Sequence, residues 1–308
     1  MQFTAGDFAA LFGVRELPRA CAALAAGRDF SYEVLTGAPR ERIVRQVLEH
    51  IDSGRPTQVG QHRADIWESC WQENLDKFVR AGYDAEKLVP DFFKPDQPMR
   101  LRQDYVLPRN PRFELECFEV CRAFLFERYF TGVDAVYEFG CGSGFNLLAL
   151  AKQLPGKKLC GLDWSRSSNE MLNVMGRKLG LDIVGRHFDF FAPDAGVTLP
   201  RNSGVLTMAA LEQVGARHGP FVEYLLRASP RICVNMEPLA ELYDSGHPVD
   251  SLALRYHRKR GYLDGFLSAL RELAAKRRIE ILDVRRFFFG SLYHEAYSYV
   301  AWRPLQGV

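Results

Sequence analysis

Residues 136–146 read Val136-Tyr137-Glu138-Phe139-Gly140-Cys141-Gly142-Ser143-Gly144-Phe145-Asn146, and this stretch decides the fold. The apolar run from Ala135 to Phe139 predicts a buried strand, and residues 147–154 predict a helix. Three glycines alternate between them. Strand, glycine turn and helix form the first half of a βαβ unit, in which the turn lets the backbone approach a ligand and the helix offers free N–H groups.

Two acidic residues flank this turn. Glu138 precedes the glycines, and Asp163 ends a second predicted strand, 19 residues beyond Gly144. A carboxylate at this distance is typical of a ribose-binding residue. The glycine spacing is G-x-G-x-G rather than the dinucleotide pattern G-x-G-x-x-G, and no Lys-Ser or Lys-Thr follows it, which excludes a P-loop. The turn, its helix and the two acids together indicate a cofactor site.

The stretch from Tyr137 to Trp164 resembles motif I and the following acid of the class I S-adenosylmethionine (SAM)-dependent methyltransferases. From residue 134 onward, predicted strands and helices alternate, which is an α/β pattern. The resemblance implies a Rossmann-like, seven-stranded sheet in the order 3-2-1-4-5-7-6, with strand seven antiparallel. We expect residues 131–308 to form the SAM-binding domain and residues 1–130 to form a mostly helical substrate-binding or lid domain.

The same resemblance implies which residues hold SAM, whose demethylated product is S-adenosylhomocysteine. Gly140, Gly142 and Gly144 would lie under its methionine portion. Glu138 would hold its amino group. Asp163 would accept hydrogen bonds from both ribose hydroxyls, because a carboxylate has two acceptor oxygens.

Three further residues are candidates for the adenine end of SAM. Asp189 matches the family position that binds the adenine amino group, and Phe190 offers a main-chain N–H and an apolar face. Trp164 could equally lie against the adenine or pack under the sheet edge. Asp189 has its own alternative, because Asp also caps turns and helices.

The substrate end of the site is expected where the fourth and fifth strands of the sheet end. Glu212 follows the first of these strands and Glu237 follows the second. Two carboxylates near a sulfonium suggest a cationic substrate, and a planar guanidinium suits such a pair. The alternative is that each glutamate caps the helix that follows it. Glu212 and Glu237 are two catalytic candidates of this sequence.

A terminal hairpin, with its turn at Gly290-Ser291, is predicted to begin the last strand with Tyr293 and His294. Tyr293 is a candidate for substrate binding. His294 is a candidate general base, although a lone histidine is more often structural. A single long helix is predicted ahead of the hairpin, from about residue 250 to residue 277.

The proline-rich segment from residue 90 to residue 111 is expected to close over the cleft as a lid. Its basic residues Arg100 or Arg102 would then bind a substrate carboxylate bidentately. Trp67 and Trp71 lie four residues apart on one face of a predicted helix. For this pair, core packing is favoured over ligand contact.

Composition excludes several classes of protein. Forty basic side chains against 38 acidic ones give a net charge of +2, which argues against a nucleic-acid partner. No apolar run reaches the roughly 18–20 residues of a membrane helix, and no secretion signal is evident. Seven cysteines without nearby histidines predict reduced core thiols in a cytoplasmic protein and no metal site. The expected partner is a small-molecule substrate; a homodimer is compatible with the sequence, which does not fix the oligomeric state.

Three blocks, residues 71–75, 210–215 and 290–295, are similar to a bacterial methyltransferase group that includes the free-arginine N-methyltransferase of nitrosourea natural-product biosynthesis. This resemblance implies N-methylation of the guanidinium of free L-arginine or a relative in secondary metabolism. One alternative is O-methylation of a sugar or another hydroxyl compound, with His294 or a glutamate as general base. Another is a SAM-binding protein without catalysis.

Overall fold

The structure is a computed structural model that describes residues 1–305. The described chain up to residue 130 contains short strands as well as helices. These elements are α1 (Ala5–Phe12), α2 (Arg19–Ala25), β1 (Tyr32–Val34), α3 (Gly37–Asp52), α4 (Ala64–Arg80), β2 (Met99–Leu101), β3 (Asp104–Pro108) and α5 (Phe113–Leu125), the last continued by a π-helical turn, Phe126–Phe130.

The remaining described chain alternates between strands and helices, as the sequence predicts. Its elements are β4 (Ala135–Phe139), α6 (Phe145–Gln153), β5 (Lys158–Asp163), α7 (Arg166–Leu179), β6 (Ile183–His187), β7 (Ser203–Met208), α8 (Gly219–Ala228), β8 (Ile232–Glu237), α9 (Pro248–Arg260), α10 (Phe266–Ala275), β9 (Ile279–Arg285), β10 (Phe289–Gly290) and β11 (Ser298–Pro304). Across residues 1–305, none of the helices is both long and apolar enough to span a bilayer.

The larger sheet of the described chain has seven strands in the order β6-β5-β4-β7-β8-β11-β9. The first five of these strands are parallel, and β11 pairs antiparallel with both β8 and β9. When its strands are numbered in chain order from β4, the sheet has the predicted order 3-2-1-4-5-7-6, with strand seven antiparallel. The central strands are buried on both faces, which explains their largely apolar sequence. The predicted Rossmann-like fold is confirmed.

A second sheet connects the two predicted regions of the chain. Its order is β1-β3-β2-β10, so three strands come from residues 1–130 and the fourth from the C-terminal part. The region expected to be mostly helical therefore contains strands as well. The two regions also share one apolar core, in which Phe12 stacks on Phe124 at 4.2 Å and lies 5.5 Å from Phe287. The strands of this region were missed because they are three to five residues long, and β2 and β3 also lie in the proline-rich segment.

Two other elements differ from the sequence prediction. The long helix expected near residues 250–277 is split into α9 and α10, because Gly261 and Gly265 take left-handed backbone angles of +61° and +71°. The prediction of a tight turn at Gly290-Ser291 is also wrong. Strands β9 and β11 do pair, but the 12 residues 286–297 between them leave the sheet to form β10. Residues 293 and 294 consequently lie in this connection rather than in the last strand.

Candidate active site

The central cavity, about 430 Å³ in volume, lies at the carboxyl ends of β4, β5 and β7. This is where ligands bind in open α/β sheets. The cavity is closed from the opposite side by α4, α5, the Pro90–Gln97 segment and the 286–297 connection. Aromatic side chains from these elements, from α9 and from the loop after α9 form much of its wall: Trp67, Trp71, Phe92, Phe93, Phe118, Tyr256, Tyr262, Tyr293 and Tyr297.

The glycine turn forms one wall of the central cavity. Gly140 and Gly142 line it with left-handed backbone angles of +71° and +50°. A Cβ atom on Gly142 would lie 2.6 Å from the ring of Trp71, and one on Gly140 would lie 2.4 Å from Cβ of Ala210. Gly144 does not line the cavity and precedes α6 as its N-cap. The turn thus brings bare backbone to the cavity surface.

Asp163, the last residue of β5, lies next to this turn and lines the central cavity. Its Oδ2 accepts a hydrogen bond from Gly142 N at 3.1 Å, and its Oδ1 accepts one from Ser165 N at 2.9 Å. Each oxygen keeps a further lone pair for a ligand hydroxyl. Burial raises the pKa of Asp163 to about 6.

Trp164, Phe190 and Phe191 form an aromatic corner of the central cavity beside Asp163. The rings of Trp164 and Phe191 lie 6.2 Å apart. Asp189 is placed differently from the expectation, because its Oδ1 accepts a hydrogen bond from Phe191 N at 2.8 Å and its side chain does not line the cavity. The turn-capping alternative therefore describes Asp189.

Glu138 is fully buried behind the glycine turn and does not line the central cavity itself. Its Oε1 accepts a hydrogen bond at 2.7 Å from Asn146 Nδ2, and Asn146 does line the cavity. Its Oε2 has no hydrogen-bond partner among residues 1–305. Burial raises the pKa of Glu138 to about 8. One carboxylate oxygen is therefore free for a cationic or hydrogen-bonding partner.

The structure separates the two glutamates that the sequence placed side by side. Glu212 lines the central cavity, but Glu237 is fully buried and does not. The carboxylate of Glu237 accepts hydrogen bonds from Ala210 N at 3.2 Å and Glu212 N at 3.3 Å. Glu237 therefore holds the loop that presents Glu212. Glu237 thus binds the loop after β7 rather than the helix that follows it, and only Glu212 faces the cavity.

Glu114, on α5, is a cavity-lining carboxylate that the sequence analysis missed. Only 8% of it is exposed, and its Oε1 accepts a hydrogen bond at 2.9 Å from the hydroxyl of Tyr297. Its Oε2 has no partner among the described residues. Burial raises the pKa of Glu114 to about 7. The sequence gives little signal for it, because α5 also carries Glu116, Glu119 and Arg122, so that one more acidic residue does not stand out.

Glu114 and Glu212 both raise the pKa of the same tyrosine, Tyr297. Burial raises the pKa of Tyr297 well above its usual value, and the negative charges of both glutamates raise it further. Burial, followed by the charge of Glu237, raises the pKa of Glu212 itself to about 8. Among residues 1–305, no Lys, Arg or His nitrogen lies within 4.0 Å of a carboxylate oxygen of Glu114 or Glu212. Neither glutamate therefore has a salt-bridge partner in the described chain, although the positive charges of Arg260 and Arg63 oppose the rise in the pKa of Glu212.

His294 and Tyr293 both line the central cavity, although they lie in the 286–297 connection. His294 Nδ1 is 3.3 Å from His257 Nε2, which leaves its own Nε2 without a partner in the described chain. Burial and the neighbouring His257 lower the pKa of His294 well below its usual value, so the ring is neutral. Tyr293 stacks on His50 at 4.4 Å and on Tyr256 at 5.1 Å.

Arg100 and Arg102 are not brought to the central cavity, which corrects their expected role in binding the substrate. Arg100 is fully buried and donates to Asp250 Oδ1 at 2.8 Å and to Glu295 Oε1 at 3.4 Å. Arg102 lies on the outside of the molecule and pairs with Asp7. Arg100 belongs to β2 and Arg102 to the turn after it, so both are committed to the second sheet. Within the proposed lid, residues 90–111, only the part Pro90–Gln97 lines the cavity. That this segment closes over a bound ligand stays a prediction.

Trp67 and Trp71 both line the central cavity, and Trp71 also packs against the apolar core, as the interpretation favoured from sequence has it. Their rings stack with centroids 5.8 Å apart. Between them, Glu68 faces α7 and accepts hydrogen bonds from Arg166 N at 2.8 Å and Ser167 N at 3.1 Å. This contact with a helix N-terminus holds α4 over the glycine turn.

No protein-family model and no curated protein sequence matches this chain. Among solved structures, human N-acetylserotonin methyltransferase in complex with SAM matches with a TM-score of 0.48 and 11% identity, over 86% of this chain and 68% of that chain. An O-methyltransferase from neocarzinostatin biosynthesis, in complex with SAM and 2-hydroxy-5-methyl naphthoic acid, gives 0.40 and 17%, over 83% and 72%. The [4+2]-cyclase SpnF gives 0.45 and 14%, over 61% and 81%. The fold assignment rests on the strand order given above.

Proposed function

We propose that this protein is a SAM-dependent methyltransferase that acts on a small molecule. The proposal is supported by the methyltransferase strand order, the glycine turn that opens into the central cavity, and Asp163 at the end of the neighbouring strand. When bound, SAM supplies an electrophilic methyl group and leaves as S-adenosylhomocysteine. The size of the cavity, about 430 Å³, suits a small substrate.

The residues present fit SAM. Asp163 keeps acceptor capacity for two ribose hydroxyls, and Trp164 and Phe190 offer apolar surface to an adenine. The unpartnered Oε2 of Glu138 suits the amino group, reached directly or through water. We assign these three contacts, together with the backbone at Gly140, to the cofactor.

We further propose that the substrate is cationic and is bound by Glu114 and Glu212. The observation that carries this proposal is a pair of cavity-lining carboxyl groups that form no salt bridge in the described chain, of which Glu114 keeps an unpartnered Oε2. Surrounding aromatic faces, such as that of Tyr297, also favour a cation. A guanidinium, which is planar and rich in N–H donors, can bind both carboxylates. Free L-arginine, or a relative in natural-product biosynthesis, is our specific hypothesis.

Glu212 can also assist the proton transfer. A guanidinium nitrogen that gains a methyl group must lose a proton to stay a stable product. Burial raises the pKa of Glu212 to about 8, but a bound cation favours its ionised form, so the carboxylate can accept that proton. Glu114 would hold the cation in place through the oxygen that Tyr297 leaves free.

One observation favours a second candidate, O-methylation of a hydroxyl compound. His294 is neutral, lines the central cavity and has no partner at Nε2 among residues 1–305. If Nδ1 carries the proton, Nε2 can accept the proton of a substrate hydroxyl. This candidate predicts that His294→Gln abolishes activity, whereas glutamine variants of the two glutamates keep it.

Binding of the free substrate separates these candidates. In calorimetry with the S-adenosylhomocysteine complex, we expect L-arginine to bind, and Glu114→Gln or Glu212→Gln to weaken it by about 10- to 100-fold, as for a lost charged hydrogen bond. Glu272→Gln, an exposed change on α10, is the matched control and should bind normally. Arginine that fails to bind, or that binds both variants normally, contradicts the cationic-substrate proposal.

A further inference from the structure

We propose that Arg63 and Arg260 form an anion-binding subsite of the central cavity, and that the substrate presents a carboxylate to it. Both residues line the cavity. They replace the two arginines of the second sheet that sequence analysis assigned to a substrate carboxylate. The inference deepens the proposed function, on which it rests for the identity of the rest of the substrate.

Arg63 immediately precedes α4, and its guanidinium lies 5.7 Å from the centre of the Trp67 ring. Its Nε and Nη1 atoms are buried and have no hydrogen-bond partner among residues 1–305. Within the same residues, no carboxylate lies within salt-bridge distance of it. Buried N–H donors usually have a hydrogen-bond partner in folded proteins, so these two are available to a ligand that enters the cavity.

Arg260 approaches the same part of the cavity from the end of α9. Its Nη1 donates to the backbone oxygen and the hydroxyl of Thr57, and its guanidinium lies 5.0 Å from the centre of the Tyr262 ring. Its Nε is buried without a partner in the described chain. The bond from Val59 N to Arg260 O, at 2.9 Å, ties this helix end to the segment that leads into Arg63.

The positive charges of Arg63 and Arg260 are not balanced by a salt bridge in the described chain. Burial lowers the pKa of Arg63, and the positive charge of Arg260 lowers it further, so the two guanidinium groups repel each other. Glu212 is the carboxyl group that opposes them, yet its own pKa is raised to about 8, which leaves it largely protonated at neutral pH. An oxyanion would relieve the repulsion and satisfy the free donors together.

A carboxylate suits this subsite because its two oxygens match the planar donor fork of a guanidinium. The same cavity then has acceptors at Glu114 and Glu212 and donors at Arg63 and Arg260. A substrate that satisfies both sets carries a cation and a carboxylate, as an amino acid does. For the hydroxyl alternative, it would be a hydroxy acid.

Side-chain NMR tests the subsite without requiring turnover. Protein labelled with ¹⁵N-arginine is titrated with acetate and, separately, with its neutral analogue acetamide. The Nε–H signals of Arg63 and Arg260 are assigned by their loss in Arg63→Lys and Arg260→Lys. We expect acetate to shift both signals in a saturable way and acetamide to leave them in place. Absence of an acetate shift at either arginine, or an equal shift with acetamide, overturns the proposal.

Kinetics test the same subsite with whole substrates. Wild-type enzyme should show a KM for L-arginine about 10- to 100-fold below that for agmatine, which lacks the carboxylate. Arg63→Met and Arg260→Met should bring this ratio close to one, mainly through the KM for arginine, while Arg258→Met, an exposed change on α9, should not. A ratio that survives in both variants overturns the proposal. If neither compound is methylated, the proposed substrate fails, and the acetate titration alone decides on the subsite.

Discussion

Among individual side chains, Asp163 is the one on which cofactor binding should depend most. It lies at the end of β5, is buried, and faces the central cavity with spare acceptor capacity. Asp163→Asn should weaken SAM binding by on the order of 1.5–3 kcal/mol, because a charged acceptor of ribose hydroxyls is lost. Calorimetry measures this directly. Asp182→Asn, an exposed change just before β6, is the matched control. Equal affinity of all three proteins would mean that another residue binds the ribose.

The two strand-end glutamates show what sequence can predict at this level and what it cannot. Their positions after neighbouring strands were predictable from the strand pattern alone. Their orientations depend on the loop after β7, where Ala209 takes a left-handed angle of +52°. That bend turns the backbone N–H groups of Ala210 and Glu212 toward Glu237, which becomes a loop anchor. Glu114 was missed for a related reason, because α5 also carries two further glutamates and the sequence does not show which of the three faces the cavity.

Among the secondary-structure elements, the glycine turn and α4 act as one unit. Gly142→Ala should displace Trp71, because the new Cβ would lie 2.6 Å from its ring. We expect SAM affinity to fall by more than about tenfold, equivalent to about 1.4 kcal/mol. The substitution also places a side chain at a left-handed backbone angle, which costs about 1–2 kcal/mol of folding stability.

Gly180→Ala separates these two effects. Gly180 ends α7 with a comparable angle of +66°, and nothing lies within 4 Å of an added Cβ. Both variants should lose stability in thermal unfolding through the backbone angle, Gly142→Ala more because it also displaces Trp71, but only Gly142→Ala should lose SAM affinity. If the Gly180 variant loses SAM binding equally, the effect of Gly142 is general strain rather than contact at the site.

The strand–helix alternation of the sheet was predictable, and the elements around the 286–297 connection were not. The strands β4, β5, β7 and β8 can be recognised from their apolar sequence, because each is buried on both faces. Strand β10 has only two residues and pairs with a strand almost two hundred residues earlier in the chain. No local pattern encodes such a pairing, so sequence reasoning placed a simple hairpin there.

For the molecule as a whole, buried carboxyl groups predict an unusual pH dependence of stability. Burial raises the pKa of Glu138 and Glu212 from the usual 4.5 to about 8. Between pH 7 and 8 the folded protein therefore holds more protons than the unfolded chain, whose carboxyl groups are ionised. The free energy of unfolding should fall as pH rises, by at most about 1.4 kcal/mol per pH unit for each such group.

Urea unfolding of the ligand-free protein at several pH values between 7 and 8 measures this slope. Glu138→Gln is the informative variant, because the neutral amide keeps the size of the side chain and removes its titration. Its slope should be shallower than that of the wild type. Stability that stays constant or rises over this range in the wild type would show that these groups ionise normally.

Cofactor binding and substrate binding meet in the central cavity, where α4, α5 and the 286–297 connection complete a site that the large sheet begins. Mass spectrometry of a reaction containing the protein, SAM and L-arginine tests this arrangement most directly. We predict a product heavier than arginine by one methyl group. Glu114→Gln and Glu212→Gln should each lose roughly 2–4 kcal/mol of transition-state stabilisation. Absence of methylarginine, with a hydroxyl compound methylated instead and both variants fully active on it, would contradict the proposal.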